Sequence, residues 1–179
     1  LPIYIVHENY RRDQELMKYA QTDALTGLYN KETTKLRTDE ILSTDKDMIH
    51  AFLILDMDCI KQINDGYGHA VGDIVLQKFG QLLRDIFRED DIVGRIGGDE
   101  FVVVMKNIKM KEMAIAKAEE LLTKTQQYEI KELNGSAISI SIGIAMAPED
   151  GDCYMDLYKR ADQALYQAKR SGKARVCGY

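Results

Sequence analysis

The spacing of apolar residues changes several times along the 179-residue chain, and each change marks an element. Ala51-Phe52-Leu53-Ile54-Leu55 is apolar without interruption and ends in Asp56-Met57-Asp58. A run apolar on both faces predicts a central strand, here Ile49 to Leu55. Asp91-Ile92-Val93 and Phe101-Val102-Val103-Val104-Met105 are joined through Gly97-Gly98. Two such runs predict a hairpin whose turn uses the tolerance of glycine for positive φ. Ile138, Ile140, Ile142 and Ile144 alternate with Ser139, Ser141 and Gly143, a period of two that predicts a further strand.

Helical spacing covers Lys31 to Ser43, with Leu36, Ile41 and Leu42 facing inward. It returns from Ala70 to Arg88, where Val75, Leu76, Phe79, Leu82, Leu83 and Ile86 share a face, then in Met110 to Tyr128 and Tyr154 to Arg170. A short helix follows Asp58 and breaks at Gly66 and Gly68, and Arg175-Val176-Cys177 predicts a last edge strand. The order β, α, β-hairpin, α, β, α, β predicts an α+β fold, a mostly antiparallel central sheet flanked by helices.

Leu1 to Gln21 stands apart. Ile3, Val6, Tyr10, Met17 and Ala20 follow an a/d spacing interrupted by Asp13, short of three heptads. A helix lying on its own domain and a helix pairing with its twin both stay open, and Ile3 to Val6 also reads as the end strand of a preceding domain. The chain starts at Leu1 rather than Met, so residues 1–21 are expected to be a linker from an upstream region and residues 22–179 a single domain.

A net charge of −5 argues against a nucleic-acid binder, which needs excess Lys and Arg to meet phosphates. Cys59, Cys153 and Cys177 are odd in number and lack C-x-x-C spacing, the pattern of free thiols in a reducing, cytoplasmic setting. No apolar run approaches the length that spans a bilayer. A membrane anchor in the full-length protein stays open.

Asp99 and Glu100 follow the Gly-Gly turn, and alone they read as a solvated tip. The acids ending the central strand change that reading. If the hairpin pairs beside that strand, three or four carboxylates converge and repel one another unless a cation intervenes. Oxygen ligands suit Mg²⁺ or Mn²⁺, and Mg²⁺ held by few carboxylates completes its shell with water and substrate phosphates. The pattern points to a nucleotide.

Gly97-Gly98-Asp99-Glu100-Phe101 resembles the signature of the GGDEF family, the diguanylate cyclases. Asp23-Ala24-Leu25-Thr26-Gly27-Leu28-Tyr29-Asn30, then Asp56-Met57-Asp58 with Lys61, Asn64-Asp65, Gly68-His69 and Gly72-Asp73, and finally Ala161-Asp162-Gln163-Ala164-Leu165-Tyr166-Gln167-Ala168-Lys169 stand in the family order. The resemblance runs from about Thr22 to Val176. It implies the palm-like fold of nucleotidyl cyclases, preceded by a signalling helix from a sensor domain. It also implies a homodimer with one GTP per chain that makes cyclic di-GMP and pyrophosphate, with the product acting as inhibitor.

By the same resemblance Asp56, the Met57 carbonyl, Asp99 and Glu100 hold two Mg²⁺ or Mn²⁺ ions per site, with Asp58 behind them. Asp99, Glu100 and Arg95 form the catalytic set, Arg95 being tied to Asp23, which can also cap its own turn. Asn64 and Asp73 match the guanine-reading pair, and an Asp accepts from guanine N1–H and N2–H₂, donors that adenine lacks. Helix-opening N–H groups from Met57 to Lys61, with Lys61, Lys169 and Lys173, would meet phosphates. Without the motif these lysines read as solvated surface.

Lys173 and Ala174 depart from the arginine and asparagine common in the family. Lysine keeps the charge and loses the bidentate fork. Arg88-Glu89-Asp90-Asp91 matches the family's inhibitory product site, and otherwise reads as a helix-terminal arginine and a loop. His69 reads as structural. Two further readings stay open. One is a catalytically weak or inactive module acting as a cyclic di-GMP receptor through Arg88 and Asp91, which would lose metal acids. The other is a bare dimerising module, with no need of Asn64, Asp73 or Lys169.

Overall fold

The computed structural model describes residues 20–135 and 137–179, so the helix and strand readings of residues 1–19 lie outside the described residues. The elements in order are α1 (Lys31–Thr44), β1 (Ile49–Met57), α2 (Ile60–Tyr67), α3 (His69–Ile86), β2 (Ile92–Arg95), β3 (Glu100–Ile108), α4 (Lys111–Gln127), a 3-10 turn (Lys131–Leu133), β4 (Ile140–Ala147), α5 (Tyr154–Arg170) and β5 (Val176–Gly178). The strands form one sheet in the order β2-β3-β1-β4-β5. Pairing is antiparallel for β1 with β3 and β4 and for β2 with β3, and parallel for β5 on β4.

β1 lies in the middle with both faces covered, which is why its sequence is continuously apolar. Ala51, Leu53, Leu55 and Met57 join a core with α2, α3 and α4, while Phe52 and Ile54 join a second core with Leu157, Ala161 and Leu165 of α5. The sheet is thus the middle layer of three.

Several sequence expectations shift. Leu36, read as inward, is 69% exposed; α1 instead buries Thr33, Thr34, Thr38 and Leu42. Thr34 and Thr38 satisfy their hydroxyls on the carbonyls of Asn30 and Thr34 at 2.7 Å, so a hydrophobicity pattern misses this face. β1 continues past Leu55, making Asp56 and Met57 strand residues. α2 passes through Gly66 and ends at Gly68 with φ 88°, and His69 opens α3. In β4 the Ser and Gly positions are as buried as the isoleucines. They are small because α5 lies on them: a Cβ on Gly143 would stand 2.1 Å from the Ala161 carbonyl oxygen.

Candidate active site

The β1–β3 register sets Asp56 opposite Glu100. One residue further, the Met57 N–H donates to the Asp99 carbonyl at 3.1 Å, which draws the turn against the end of β1. Three acids from a strand end and a hairpin tip therefore meet, as the sequence led us to expect. Burial pushes the Asp56 carboxyl above its ordinary range; Lys169 opposes the shift, and the charges of Asp99 and Asp58 add to it. Burial likewise raises Glu100; a Tyr158 hydrogen bond opposes, and Asp56, Asp162 and Asp99 add to the rise. A half-buried carboxylate cluster of this kind is a donor set that a hard divalent cation fits.

α5 supplies the facing groups. Lys169 Nζ stands 2.7 Å from Asp56 Oδ2, and the Tyr158 hydroxyl donates to Glu100 Oε1 at 3.0 Å. Sequence reasoning named Lys169 and passed over Tyr158. The available signal was position: Tyr158, Asp162 and Lys169 fall at i, i+4 and i+11, one face of a helix.

The hairpin tip is braced from below. Glu100 O accepts from the N–H groups of Ile96 and Gly97 at 2.9 and 3.3 Å. Neither Gly97 nor Gly98 belongs to the positive-φ residues, so the expected left-handed turn is not how the glycines serve. Around Gly98 an added Cβ would meet nothing within 4 Å, so the tip is open to approach. Arg95 donates from Nη1 to both Asp23 oxygens at 3.1 and 3.2 Å, and from Nη2 and Nε to the Gly98 carbonyl at 2.8 and 3.3 Å. Its guanidinium thus holds the turn and makes the bond to Asp23 that the resemblance implied for this member of the expected catalytic set. Asp23 also accepts from the Thr26 N–H and hydroxyl, taking both roles anticipated for it. Burial alone would raise the Asp23 carboxyl, and the Thr26 and Arg95 bonds outweigh it to hold the group below its ordinary range.

Of the N–H groups expected to face an anion, two are already engaged. Met57 donates to Asp99 O, and Asp58 donates to Ser139 O at 2.9 Å. The helix-opening groups of Cys59, Ile60 and Lys61 remain as the candidate cradle. The Asp58 carboxylate accepts from the hydroxyls of Ser139 and Ser141 at 2.8 and 2.7 Å and from the Ala174 N–H at 3.3 Å. It ties β4 to the loop carrying Lys173, and both Lys173 and Ala174 are left-handed there (φ 60° and 48°). Lys61 and Lys173 are exposed. Asn64 is half-buried in α2 and its Oδ1 fills the place of a Cβ on Gly72, beside the exposed Asp73 of α3.

Arg88 and Asp91 line a cavity of about 350 Å³ with Gly27, Leu28, Tyr29 and Arg84. Asp91 is buried, and its oxygens accept from the backbone N–H groups of Arg88 and Lys106, each at 3.0 Å. A larger cavity, about 680 Å³, runs along α5 and β5 and meets the acids only through Asp162 and Lys169. Elsewhere Asp152, Cys153 and Asp156 bring ligand atoms within 4.8 Å of one another. They sit where α5 opens, a place that favours acids through the helix dipole alone. No helix among the described residues is long and apolar enough to cross a membrane.

The sequence profile described as "Diguanylate cyclase, GGDEF domain" matches residues 20–175. The chain is 36% identical over 168 residues to the diguanylate cyclase DgcS of Shewanella oneidensis, covering 92% of this chain and 55% of that protein. Across the first curated relatives it spans between 23% and 55% of their length. Among solved structures, the GGDEF domain of TpbB (YfiN) from Pseudomonas aeruginosa superposes with a TM-score of 0.82 at 35% identity, over 88% of this chain and 93% of that one. The coiled coil and GGDEF domain of DgcB from Caulobacter crescentus, solved with c-di-GMP, gives 0.90 at 24% identity, over 99% and 95%. That last likeness is one of fold.

Proposed function

Because the chain belongs to the GGDEF family of diguanylate cyclase domains, we propose that it condenses two GTP into cyclic di-GMP and pyrophosphate, acting as a homodimer with one GTP per chain. The observation that carries this reading is the meeting of Asp56, Asp99 and Glu100 beside Lys169. The reaction class needs positioning and charge neutralisation more than covalent help. The family uses divalent metal. Here Asp56, the Met57 carbonyl, Asp99 and Glu100 are the residues to hold two Mg²⁺ or Mn²⁺, whose charge would offset the triphosphate and acidify the attacking hydroxyl.

The chain's own groups divide the remaining work. Asp99, next to the open Gly98 tip, takes the proton of the ribose 3′-hydroxyl in this reading. Lys61, Lys169, Lys173 and the N–H groups of Cys59 to Lys61 meet the β- and γ-phosphates. Lys169 is shared, leaving Asp56 for phosphate as substrate enters. Asn64 and Asp73 read the guanine edge. Arg95 acts through the turn and is a positioning residue. Residues 1–21 link a sensor to the catalytic domain at 22–179, in the cytoplasm. At Arg88 and Asp91 the inhibitory contacts fall mainly to the Arg88 guanidinium, since Asp91 is already engaged by two backbone donors.

The test is conversion of GTP with Mg²⁺, followed by chromatography of the product. Asp99→Ala is expected to lower turnover at least about a hundredfold. Turnover that survives this change would sink the mechanism. Should the parent chain convert no GTP yet bind cyclic di-GMP in an Arg88-dependent way, the receptor reading replaces this one; the cavity beside Arg88 supports that alternative.

A further inference from the structure

Glu100 is held at three places by groups of the chain. Its carbonyl accepts from Ile96 and Gly97, its backbone pairs with Asp56 across the sheet, and its Oε1 accepts from Tyr158 at 3.0 Å. The phenol making that last bond is itself fixed. The Tyr158 ring stacks on Tyr154 with centroids 5.9 Å apart and planes 22° apart, and Tyr154 meets Phe52 of β1 edge-on at 5.3 Å. Tyr154 is 3% exposed and its hydroxyl has no hydrogen-bond partner among the described residues, so it serves this stack by shape alone. The column Phe52–Tyr154–Tyr158 therefore runs from the centre of the sheet to a single carboxylate oxygen of the site.

We propose that Tyr158 is a positioning residue for the metal site: by engaging Glu100 Oε1 from a rigid aromatic column, it turns Oε2 toward the cation. This rests on the enzyme reading above. The geometry fits, since Oε2 lies on the hairpin side, 3.3 Å from where a Cβ on Gly97 would be, toward the tip that carries Asp99. A carboxylate with one oxygen anchored has one rotamer and one free oxygen to offer. Without the anchor it samples several, and the ion must select one. Partners that orient a ligating side chain are typically worth ten- to a hundredfold in metal affinity.

The test compares Mn²⁺ binding, followed by electron paramagnetic resonance in the presence of a non-hydrolysable guanosine triphosphate analogue, in the parent chain, Tyr158→Phe and Tyr154→Phe. The phenylalanine at 158 keeps the stack and removes only the donor. We expect Tyr158→Phe to weaken Mn²⁺ binding about tenfold. Its melting temperature and its affinity for the nucleotide without metal should be unchanged. Tyr154→Phe, which deletes a hydroxyl with no hydrogen-bond partner among the described residues, should bind Mn²⁺ like the parent. Equal Mn²⁺ affinity in the parent and Tyr158→Phe would overturn the proposal while leaving the enzyme reading intact. A parent chain that binds no Mn²⁺ at all would overturn both, and the matching loss of turnover would identify that case. A loss in Tyr154→Phe equal to that in Tyr158→Phe would assign the effect to packing and overturn the hydroxyl's role.

Discussion

The methyl group missing at Gly72 separates stability from recognition. A Cβ there would stand 1.8 Å from Asn64 Oδ1, the far end of a side chain that can rotate where backbone could not. Alanine is also the better helix former, by roughly 1 kcal/mol. Gly72→Ala is therefore expected to leave the melting temperature unchanged or slightly raised while increasing KM for GTP about tenfold, equivalent to about 1.4 kcal/mol of lost binding. Calorimetry beside steady-state kinetics checks both halves; an unchanged KM would remove Asn64 from the guanine site. At this scale much was legible beforehand. Asp56, Asp99 and Glu100 were named from the convergence of acids that the strand pattern implied, and Asn64 and Asp73 from the resemblance to the family. Tyr158 escaped notice because a tyrosine on an amphipathic helix has no distinguishing mark until its hydroxyl meets a carboxylate 58 residues away. The tie of Arg95 to Asp23 was implied by the resemblance, whereas its hold on the Gly98 carbonyl depends on what lies across from the guanidinium.

At the scale of elements, the contact between β4 and α5 carries the site. Tyr158 and Lys169 come from α5, and the height of α5 above the sheet is set by Gly143. There a Cβ would lie 2.1 Å from Ala161 O and 2.4 Å from Leu165 N, both backbone atoms that cannot turn away. Gly143→Ala must lift the helix. Overpacking of this kind costs about 1–3 kcal/mol, and urea unfolding should read a loss near the upper end. Turnover should fall with it, because Lys169 and Tyr158 move together. A variant as stable as the parent would show that α5 is free to slide. Strand and helix types were readable from periodicity. The threonine face of α1 was not, because internal hydrogen bonds let polar side chains occupy positions where a hydrophobic pattern expects leucine.

At the scale of the whole molecule, the proposed reaction, with one site per chain and a product of two nucleotides, would require two chains to meet. Below the dissociation constant of the dimer, turnover per chain should rise in proportion to chain concentration, with the population followed by analytical ultracentrifugation. A rate per chain that stays constant across monomeric concentrations would exclude the two-chain mechanism. The sequence alone determined the order of elements, the central place of β1 and the meeting of acids at its end, because periodicity and side-chain chemistry are local properties. Only the tertiary structure decided which carboxylate oxygen is anchored, which helix-opening N–H groups stay unclaimed, and that Arg95 also holds the Gly98 carbonyl while Tyr158 reaches in. Those outcomes depend on strand register and on how closely α5 lies on β4, and both are set by contacts between residues far apart in the chain.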